Sequence, residues 1–238
     1  GLLDRAMADR LKRAGLDRLN HNLNTSRRHY PAVCTTHTYD DRLATLHAAR
    51  TAGLSVCSGL IVGMGETHED LLDVAYELRD IQAESIPVNF LVPITGNRLT
   101  EAICDGQALT PQFVLRVLCM MRLINPNAEI RIAAGREVHL RSMQALALWP
   151  ANSLFVDGYL LTAGSAAAAT LKMIFDAGFV PRLDDGTSLA EVRRLAESAS
   201  SGPGLAAPAD QSLPETAPLK LSVQAAPQPS APSQETGV

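Results

Sequence analysis

The stretch Leu19-Asn20-His21-Asn22-Leu23-Asn24-Thr25-Ser26 sets three asparagines at a spacing of two. In a β-strand, residues at this spacing project from one face, so Asn20, Asn22 and Asn24 would form a ladder of carboxamides. Asparagine is depleted in strands, and a buried amide without partners costs about 1–3 kcal/mol. Two interpretations are open at this point: a loop, because asparagine favours turns, or a polar strand face that binds a ligand.

Outward from this stretch, the hydrophobic pattern predicts that strands alternate with helices. The predicted strands are 16–23, 54–62, 86–92, 130–134 and 153–159, and the predicted helices are 2–14, 39–52, 70–83, 111–123, 136–148 and 166–177. This alternation is typical of parallel strands joined by right-handed crossovers. A closed barrel of eight units needs ~250 residues, so five units and a leading helix predict the later part of a TIM-type (β/α)8 barrel. The alternative is an open doubly wound sheet, but no Gly-rich phosphate loop follows the first strand.

The composition is that of a globular cytoplasmic protein. Apolar residues make up 46% of the 238, and no run approaches the ~20 apolar residues of a membrane helix. The net charge is −4 and aromatic residues are only 4%, so neither a basic footprint nor a stacking platform for nucleic acid is visible. The sequence therefore predicts neither a membrane nor a nucleic-acid partner.

Two regions differ in composition. Residues 1–183 carry the barrel pattern, whereas residues 184–238 form a Pro/Ala-rich tail in which seven of the 14 prolines lie between Pro203 and Pro232. Such a segment buries too little apolar surface to offset its ordering entropy, so we expect it to be mostly disordered from about residue 196. The chain opens at Gly1 in mid-helix, and we expect it to be the C-terminal portion of a longer protein.

Four of the five predicted strands carry an unexpected residue in a strand position: the asparagines of the first, Cys57, Asn89 and Arg131. In a barrel, alternate residues of every strand point into the lumen, so these side chains could converge there. Taken singly, Cys57 could be a small hydrophobe, Asn89 could bond backbone, and Arg131 could pair with a carboxylate. Amides suit a urea-like group or ribose hydroxyls, and a cysteine thiolate suits an iron–sulfur cluster.

The chain resembles the biotin synthase family of radical S-adenosylmethionine enzymes between Leu2 and about Pro181. The resemblance rests on six ordered segments: Asn20-His21-Asn22-Leu23-Asn24-Thr25-Ser26, Thr35-Thr36-His37-Thr38, Val56-Cys57-Ser58-Gly59, Gly63-Met64-Gly65-Glu66-Thr67, Pro87-Val88-Asn89, and Arg131-Ile132-Ala133-Ala134-Gly135-Arg136-Glu137. Gly59, Ile61, Gly63 and Glu66 also fit the broader radical-enzyme pattern G-x-I-x-G-x-x-E.

The resemblance implies a barrel that holds two clusters. A 4Fe-4S cluster cleaves S-adenosylmethionine to a deoxyadenosyl radical, which abstracts hydrogen from dethiobiotin, and a 2Fe-2S cluster donates the sulfur that completes biotin. Cys57 would be a ligand of the 2Fe-2S cluster and Arg131 its arginine ligand. A guanidinium ordinarily has no lone pair to give, and on physical grounds alone Arg131 would be assigned to a carboxylate.

The resemblance also implies roles for four asparagines. Asn22 and Asn24 would hold the ribose of S-adenosylmethionine, and Asn20 and Asn89 would bind the ureido ring of dethiobiotin. The family further implies a homodimer and an electron donor such as flavodoxin. No residue of this chain is assigned as a catalytic acid, base or nucleophile.

The chain departs from the family pattern in its cysteines. The CxxxCxxC motif that binds the 4Fe-4S cluster and two further cysteines of the 2Fe-2S site are not in this sequence. Cys34, Cys104 and Cys119 lack the spacing to replace them, and we interpret them as structural or incidental. Residues 1–238 on their own are therefore expected to be unable to cleave S-adenosylmethionine. The alternatives are a related radical enzyme with another substrate and a non-catalytic barrel remnant that binds a ligand or partner.

Overall fold

The computed structural model describes residues 1–93, 109–156, 158–159, 162–163, 167–183, 189–198 and 220–225. The described helices are α1 (Arg5–Arg13), α2 (Tyr30–Val33), α3 (Tyr39–Thr51), α4 (His68–Asp80), α5 (Pro111–Ile124), α6 (Arg136–Leu140), the 3-10 helix Arg141–Leu148, α7 (Ala167–Asp176) and α8 (Leu189–Ser198). The described strands are β1 (Arg18–Asn20), β2 (Ser55–Cys57), β3 (Leu60–Val62), β4 (Ser85–Phe90), β5 (Glu129–Ile132), β6 (Ser153–Phe155), β7 (Gly158–Tyr159), β8 (Thr162–Ala163), β9 (Phe179–Leu183) and β10 (Lys220–Ala225).

Side chains that precede the helices fix where several of them begin. The hydroxyls of Thr38 and Thr67 each accept a bond from a backbone N–H three residues on, and the aspartate at that position bonds back to the cap. Thr110 caps α5 by accepting a 3.3 Å bond from the Phe113 amide, with Pro in the first turn. Each such cap stabilises its helix by about 1 kcal/mol, and the cap predicted at Thr110 is confirmed.

The main sheet confirms the predicted partial barrel. Its strands lie in the order β1-β2-β4-β5-β6-β10-β9, with β3 also beside β4, and the pairs from β1 to β6 are all parallel. Successive parallel strands therefore advance in one direction around the sheet. A doubly wound sheet would reverse its order at a switch point, so this progression favours the barrel over the open alternative.

The predicted strand 54–62 is two strands in the structure. The break falls at Ser58 and Gly59, where the chain passes so close to β4 that a Cβ on Gly59 would lie 1.9 Å from the carbonyl oxygen of Pro87. Beyond the break, β3 pairs with the C-terminal half of β4. The close approach requires glycine and redirects the strand.

Within the region that the sequence predicts to be a Pro/Ala-rich tail, the structure describes one helix and one strand. Strand β10 lies antiparallel between β6 and β9, and α8 precedes it along the chain. Strand β9 was likewise absent from the predicted elements. Because β10 pairs with β6 across more than 60 residues of sequence, local composition carried no signal for this pairing.

The helical layer covers the apolar face of the sheet. Val56, Ile86, Ile130 and Leu154 are fully buried there, in one cluster with residues of α3, α4 and α5. None of the described helices is long and apolar enough to cross a membrane.

Candidate active site on the polar face of the sheet

The opposite face of the sheet carries polar side chains, and we call it the polar face. In the strand register, Asn20 lies opposite Cys57, Cys57 opposite Ser85, and Ser85 opposite Glu129. One step further along the strands, Pro87, Arg131 and Ser153 form the next row. Residues paired in a sheet share a face, and Asn89 lies two residues beyond Pro87. The unexpected strand residues Asn20, Cys57, Asn89 and Arg131 therefore share one face.

Cys57 and Arg131 are both buried on this face, with 2% and 5% of their surfaces exposed. They lie two strands apart, which is roughly 10 Å at the usual strand spacing, with an offset of one row. The Arg131 guanidinium forms an ion pair with Glu129, donates a 3.1 Å hydrogen bond from Nε to Ser153 Oγ, and stacks 5.5 Å from the ring centre of Phe155. In this structure, Arg131 therefore has the carboxylate partner that its chemistry favours.

Glu129, Ser85 and Ser153 also lie on the polar face, and the sequence analysis did not single them out. Ser85 donates a 3.0 Å hydrogen bond to Glu129, so a polar chain runs from Ser85 through Glu129 and Arg131 to Ser153 across three neighbouring strands. The position of Glu129 could have been predicted from the sequence, because Glu129 precedes Arg131 by two residues and must share its face in any strand. The carboxylate keeps a cation in a buried position that would otherwise be costly.

The predicted ladder of three asparagines is wrong as a strand feature. Strand β1 ends at Asn20, Asn22 follows in a loop, and Asn24 has a left-handed backbone with a φ of 71°. Asparagine tolerates this conformation better than most residues. The backbone of Asn24 instead bridges to the second unit of the barrel, which is formed by β2, β3 and α4. The Asn24 backbone N–H donates to the Gly59 carbonyl at 3.0 Å, and the Asn24 carbonyl accepts from the Ile61 backbone N–H at 2.8 Å.

The carboxamides of Asn22 and Asn89 are positioned by backbone groups. Asn22 Oδ1 accepts a 3.1 Å bond from the Gly59 amide. Asn89, 8% exposed, donates from Nδ2 to the Leu60 carbonyl at 3.1 Å and accepts from the Ala134 amide at 3.2 Å. An amide has two donor hydrogens and two acceptor lone pairs, so each side chain keeps hydrogen-bonding capacity for a ligand.

Two loops at the carboxyl ends of the first strands are tied to each other. The Glu66 carboxylate accepts bonds from the amides of Gly63 at 2.6 Å and Met64 at 2.7 Å, and the His29 ring lies 3.0 Å from the Met64 carbonyl. Ser26 donates a 2.5 Å bond to Asp70, which lies at the start of α4. The loop that carries Asn22 and Asn24 is therefore anchored to the loop that follows β3.

The described cysteines beyond Cys57 lie off the polar face. Hydrogen bonds from Thr36 and Tyr30 lower the pKa of Cys34 to about 6, and its sulfur lies 3.7 Å from Nδ1 of His37. Cys119 is exposed on α5, and Cys104 lies outside the described residues. Among the residues that the structure describes, there is no group of three or more His, Cys, Asp or Glu side chains that could hold a metal ion.

Comparison with known proteins identifies the class. Residues 1–78 match the Radical SAM superfamily, and residues 87–180 match the Biotin and Thiamin Synthesis associated domain. A methylornithine synthase of known structure has a similar fold, with a TM-score of 0.55 and 18% identity over 86% of this chain and 57% of that one. The chain is a member of the radical SAM superfamily.

Sequence relatives give the family within this class. A biotin synthase of Acaryochloris marina is 60% identical over 179 residues, which is 75% of this chain and 51% of that protein. One from Leptospira interrogans is 55% identical over 191 residues, covering 80% of this chain and 53% of that protein. The chain belongs to the biotin synthase family, and it spans about half the length of the relatives that it matches.

Proposed function

We propose that this chain is part of a biotin synthase, the sulfurtransferase that converts dethiobiotin to biotin. The single observation that carries the proposal is that Asn20, Cys57, Asn89 and Arg131 share one sheet face, with Asn20 opposite Cys57 and Arg131 two strands away and one row further along. Each of these residue types offers the chemistry that the reaction needs at a common surface. Family membership supplies the reaction, and the polar face supplies the site.

Dethiobiotin carries a ureido group, whose carbonyl accepts hydrogen bonds and whose two N–H groups donate them. Asn20, exposed at the end of β1, would present its amide to this group from one side. Asn89 would bind from β4 with the donor and the acceptor that its backbone contacts leave over. A site built from amides also suits this neutral group better than it suits a phosphate, because a phosphate site would be expected to contain more cationic side chains.

Asn22 and Asn24 are proposed to hold the ribose of S-adenosylmethionine. The Gly59 amide occupies one lone pair of Asn22 Oδ1 and leaves the NH2 group of Asn22 to donate to ribose hydroxyls. Asn24 presents its side chain from a left-handed backbone that the bridge to Leu60 fixes. The two amides therefore lie beside the polar face rather than in line with Asn20.

Cys57 and Arg131 are proposed as the contribution of this chain to a 2Fe-2S site. The Cys57 side chain is a soft ligand on the polar face. A 2Fe-2S cluster takes four protein ligands, and the described residues contain no group of three or more His, Cys, Asp or Glu that could hold a metal ion, so Cys57 and Arg131 would supply part of the ligand set. When bound, the cluster would supply the sulfur atom. To act as a ligand, Arg131 would have to give up a proton and its ion pair with Glu129, whose carboxylate could accept that proton.

The remaining components of the proposal come from the family. A 4Fe-4S cluster would generate the radical from S-adenosylmethionine, and no described residue of this chain is assigned to it. An electron donor such as flavodoxin and a homodimer belong to the same proposal for the whole protein.

The experiment that tests the proposal is calorimetric titration of this chain with dethiobiotin and, separately, with S-adenosylmethionine. Asn20→Ala removes an exposed amide from the polar face, and we expect it to weaken dethiobiotin binding about 5- to 100-fold, as the loss of one or two hydrogen bonds implies. Asn127→Ala is the matched control, because Asn127 is exposed in the loop before β5, away from the polar face.

Three outcomes separate the candidate functions. A selective loss in Asn20→Ala supports the ureido assignment. Binding of S-adenosylmethionine without dethiobiotin would replace it with a related radical enzyme that acts on another substrate. Binding of neither ligand would contradict both and favour a barrel that only binds a different partner.

A further inference from the structure

A cavity lies in the helical layer, between the 3-10 helix Arg141–Leu148 and α7. Its volume is about 290 Å³, and the described residues that line it include Arg136, Arg141, Ser142, Gln144, Thr170 and Met173. None of these belongs to the sheet, so the cavity is distinct from the polar face. The proposed function uses Arg131 from the segment Arg131–Glu137 and leaves Arg136 without a role.

Arg136 is a buried cation whose hydrogen bonding is incomplete. Only 2% of its surface is exposed, and Nη2 is engaged by Glu137 and by the Thr170 hydroxyl at 3.2 Å. Nη1 is also buried, yet it has no hydrogen-bond partner. Buried polar groups in native proteins are nearly always paired, and a buried guanidinium without a partner on one arm points to a missing acceptor.

The surrounding structure holds Arg136 in place. A Cβ on Gly135 would lie 2.2 Å from the Phe90 carbonyl oxygen, so glycine is required for α6 to begin against the end of β4. Thr170, which accepts from Arg136, in turn donates a 2.8 Å bond to the Val156 carbonyl. The backbone next to Arg136 and the Thr170 hydroxyl that its guanidinium contacts are therefore both held in place, which keeps the guanidinium at this position.

The other groups around the cavity favour a negatively charged ligand. Arg141 lies at the break between α6 and the 3-10 helix, is exposed, and adds a second guanidinium beside the hydroxyl of Ser142. Gln144 donates a 3.0 Å bond to the Arg141 carbonyl, which fixes that turn. No acidic side chain is among the described lining residues.

We propose that this cavity binds a small molecule through one oxyanionic group, a carboxylate or a phosphate, held between Arg136 and Arg141. Guanidinium groups bind both kinds of oxyanion through paired N–H donors. The volume is at the lower end of the ~300–1,000 Å³ usual for ligand pockets, which suits a small metabolite rather than a large cofactor. The side chains of Ala145, Ala169 and Met173 would contact a short aliphatic portion behind the anion.

The test is calorimetric titration of this chain with inorganic phosphate and with pentanoate, each at constant ionic strength set with sodium chloride. We expect one saturable site for at least one of the two probes. Arg141→Gln should weaken that binding about tenfold, because it removes one charge-assisted contact. Arg10→Gln, an exposed arginine on α1, is the matched control and should leave the affinity unchanged.

A second variant protects the test against misfolding. Replacing Arg136 removes a buried side chain and risks unfolding, whereas Ala169→Glu changes an exposed residue of the cavity wall and places a competing carboxylate beside both arginines. It should abolish binding while the circular dichroism spectrum stays that of the parent.

Binding of phosphate alone or pentanoate alone assigns the source of the oxyanion. Binding of neither probe, or equal affinity in the parent, Arg141→Gln and Ala169→Glu, would overturn the proposal. The measurement uses no residue of the polar face and no dethiobiotin, so its result is independent of the test of the proposed function.

Discussion

Replacing Asp70 by asparagine removes a buried negative charge while it keeps the shape of the side chain. Asp70 is only 3% exposed. Its carboxylate accepts hydrogen bonds from Ser26 Oγ at 2.5 Å and Arg28 Nε at 3.0 Å. It also accepts from the backbone N–H and the hydroxyl of Thr67, at 2.8 and 2.7 Å. Asparagine has one acceptor oxygen. Its NH2 group must therefore face donors on one side, either at Thr67 or at Ser26 and Arg28.

The expected loss follows from these contacts. A buried donor left unsatisfied costs about 1–3 kcal/mol, and a lost helix cap costs about 1 kcal/mol. The ion pair adds little, because the Arg28 side chain is 60% exposed and its charge is screened by solvent. We expect Asp70→Asn to lower the free energy of unfolding by about 2–4 kcal/mol, a large part of the stability of an ordinary domain.

The assay is urea unfolding followed by circular dichroism near neutral pH. Asp73→Asn is the matched control, since Asp73 contacts the same Arg28 at 3.4 Å but is itself exposed. It should change the free energy of unfolding by less than about 0.5 kcal/mol. If Asp70→Asn costs no more than Asp73→Asn, the reasoning from buried hydrogen bonds is wrong.

The difference in stability between the parent protein and Asp70→Asn should depend on pH. Burial acts to raise the pKa of Asp70, but hydrogen bonds from Ser26, Thr67 and Arg28 outweigh it and hold this pKa well below its ordinary value. A depressed pKa in the folded state contributes stability that is complete above the unfolded value, about 4, and is lost as pH falls through the folded value. The stability difference between parent and Asp70→Asn should therefore be constant from neutral pH down to about 4 and narrow below it. A difference that narrows on raising the pH from 4 to 7 would contradict this sign.

Two further predictions concern a close contact and a thiol. Gly59→Ala should cost about 3 kcal/mol or more in urea unfolding, because its Cβ would lie 1.9 Å from the Pro87 carbonyl, beyond ordinary overpacking. Gly15→Ala is the control for backbone strain alone, with a φ of 96° and open space around it, and should cost about 1–2 kcal/mol; an equal cost in both would count against the contact. Alkylation of Cys34 by iodoacetamide, followed by mass spectrometry, should reach half its maximal rate near pH 6, and Thr36→Val should move this midpoint upward because Thr36 gives the largest hydrogen-bond contribution. A midpoint near that of a free thiol in the parent would refute the lowered pKa.

The parallel strands and their helices could be predicted because each depends on local pattern. The period of apolar residues indicated α3, α4 and α5, and the hydroxyl of Thr110 followed by proline indicated a helix start. Strand β5 was likewise visible as a short apolar run between turns. In each of these elements the hydrophobic face and the local propensity agree.

The missed features depend on contacts distant in sequence. The break at Gly59 exists because β4 approaches it, and the left-handed backbone of Asn24 exists because its amide and carbonyl bond to the second unit. Neither contact is encoded by its own segment. The role of Glu129 is a different case, since the alternation of strand residues already placed it beside Arg131.

The loop proposed to hold ribose owes its shape to the second unit of the barrel. The Gly59 amide fixes the carboxamide of Asn22, the Gly59 carbonyl and the Ile61 amide fix the backbone of Asn24, and Arg42 donates a 2.5 Å bond to the Asn22 carbonyl. These contacts involve no proposed ligand group, so the amides are already ordered when a ligand arrives. Ordering a loop on binding costs affinity, and here that cost is met during folding. The break at Gly59 that interrupts the second strand is therefore also the feature that orients Asn22 and Asn24 toward their proposed ligand.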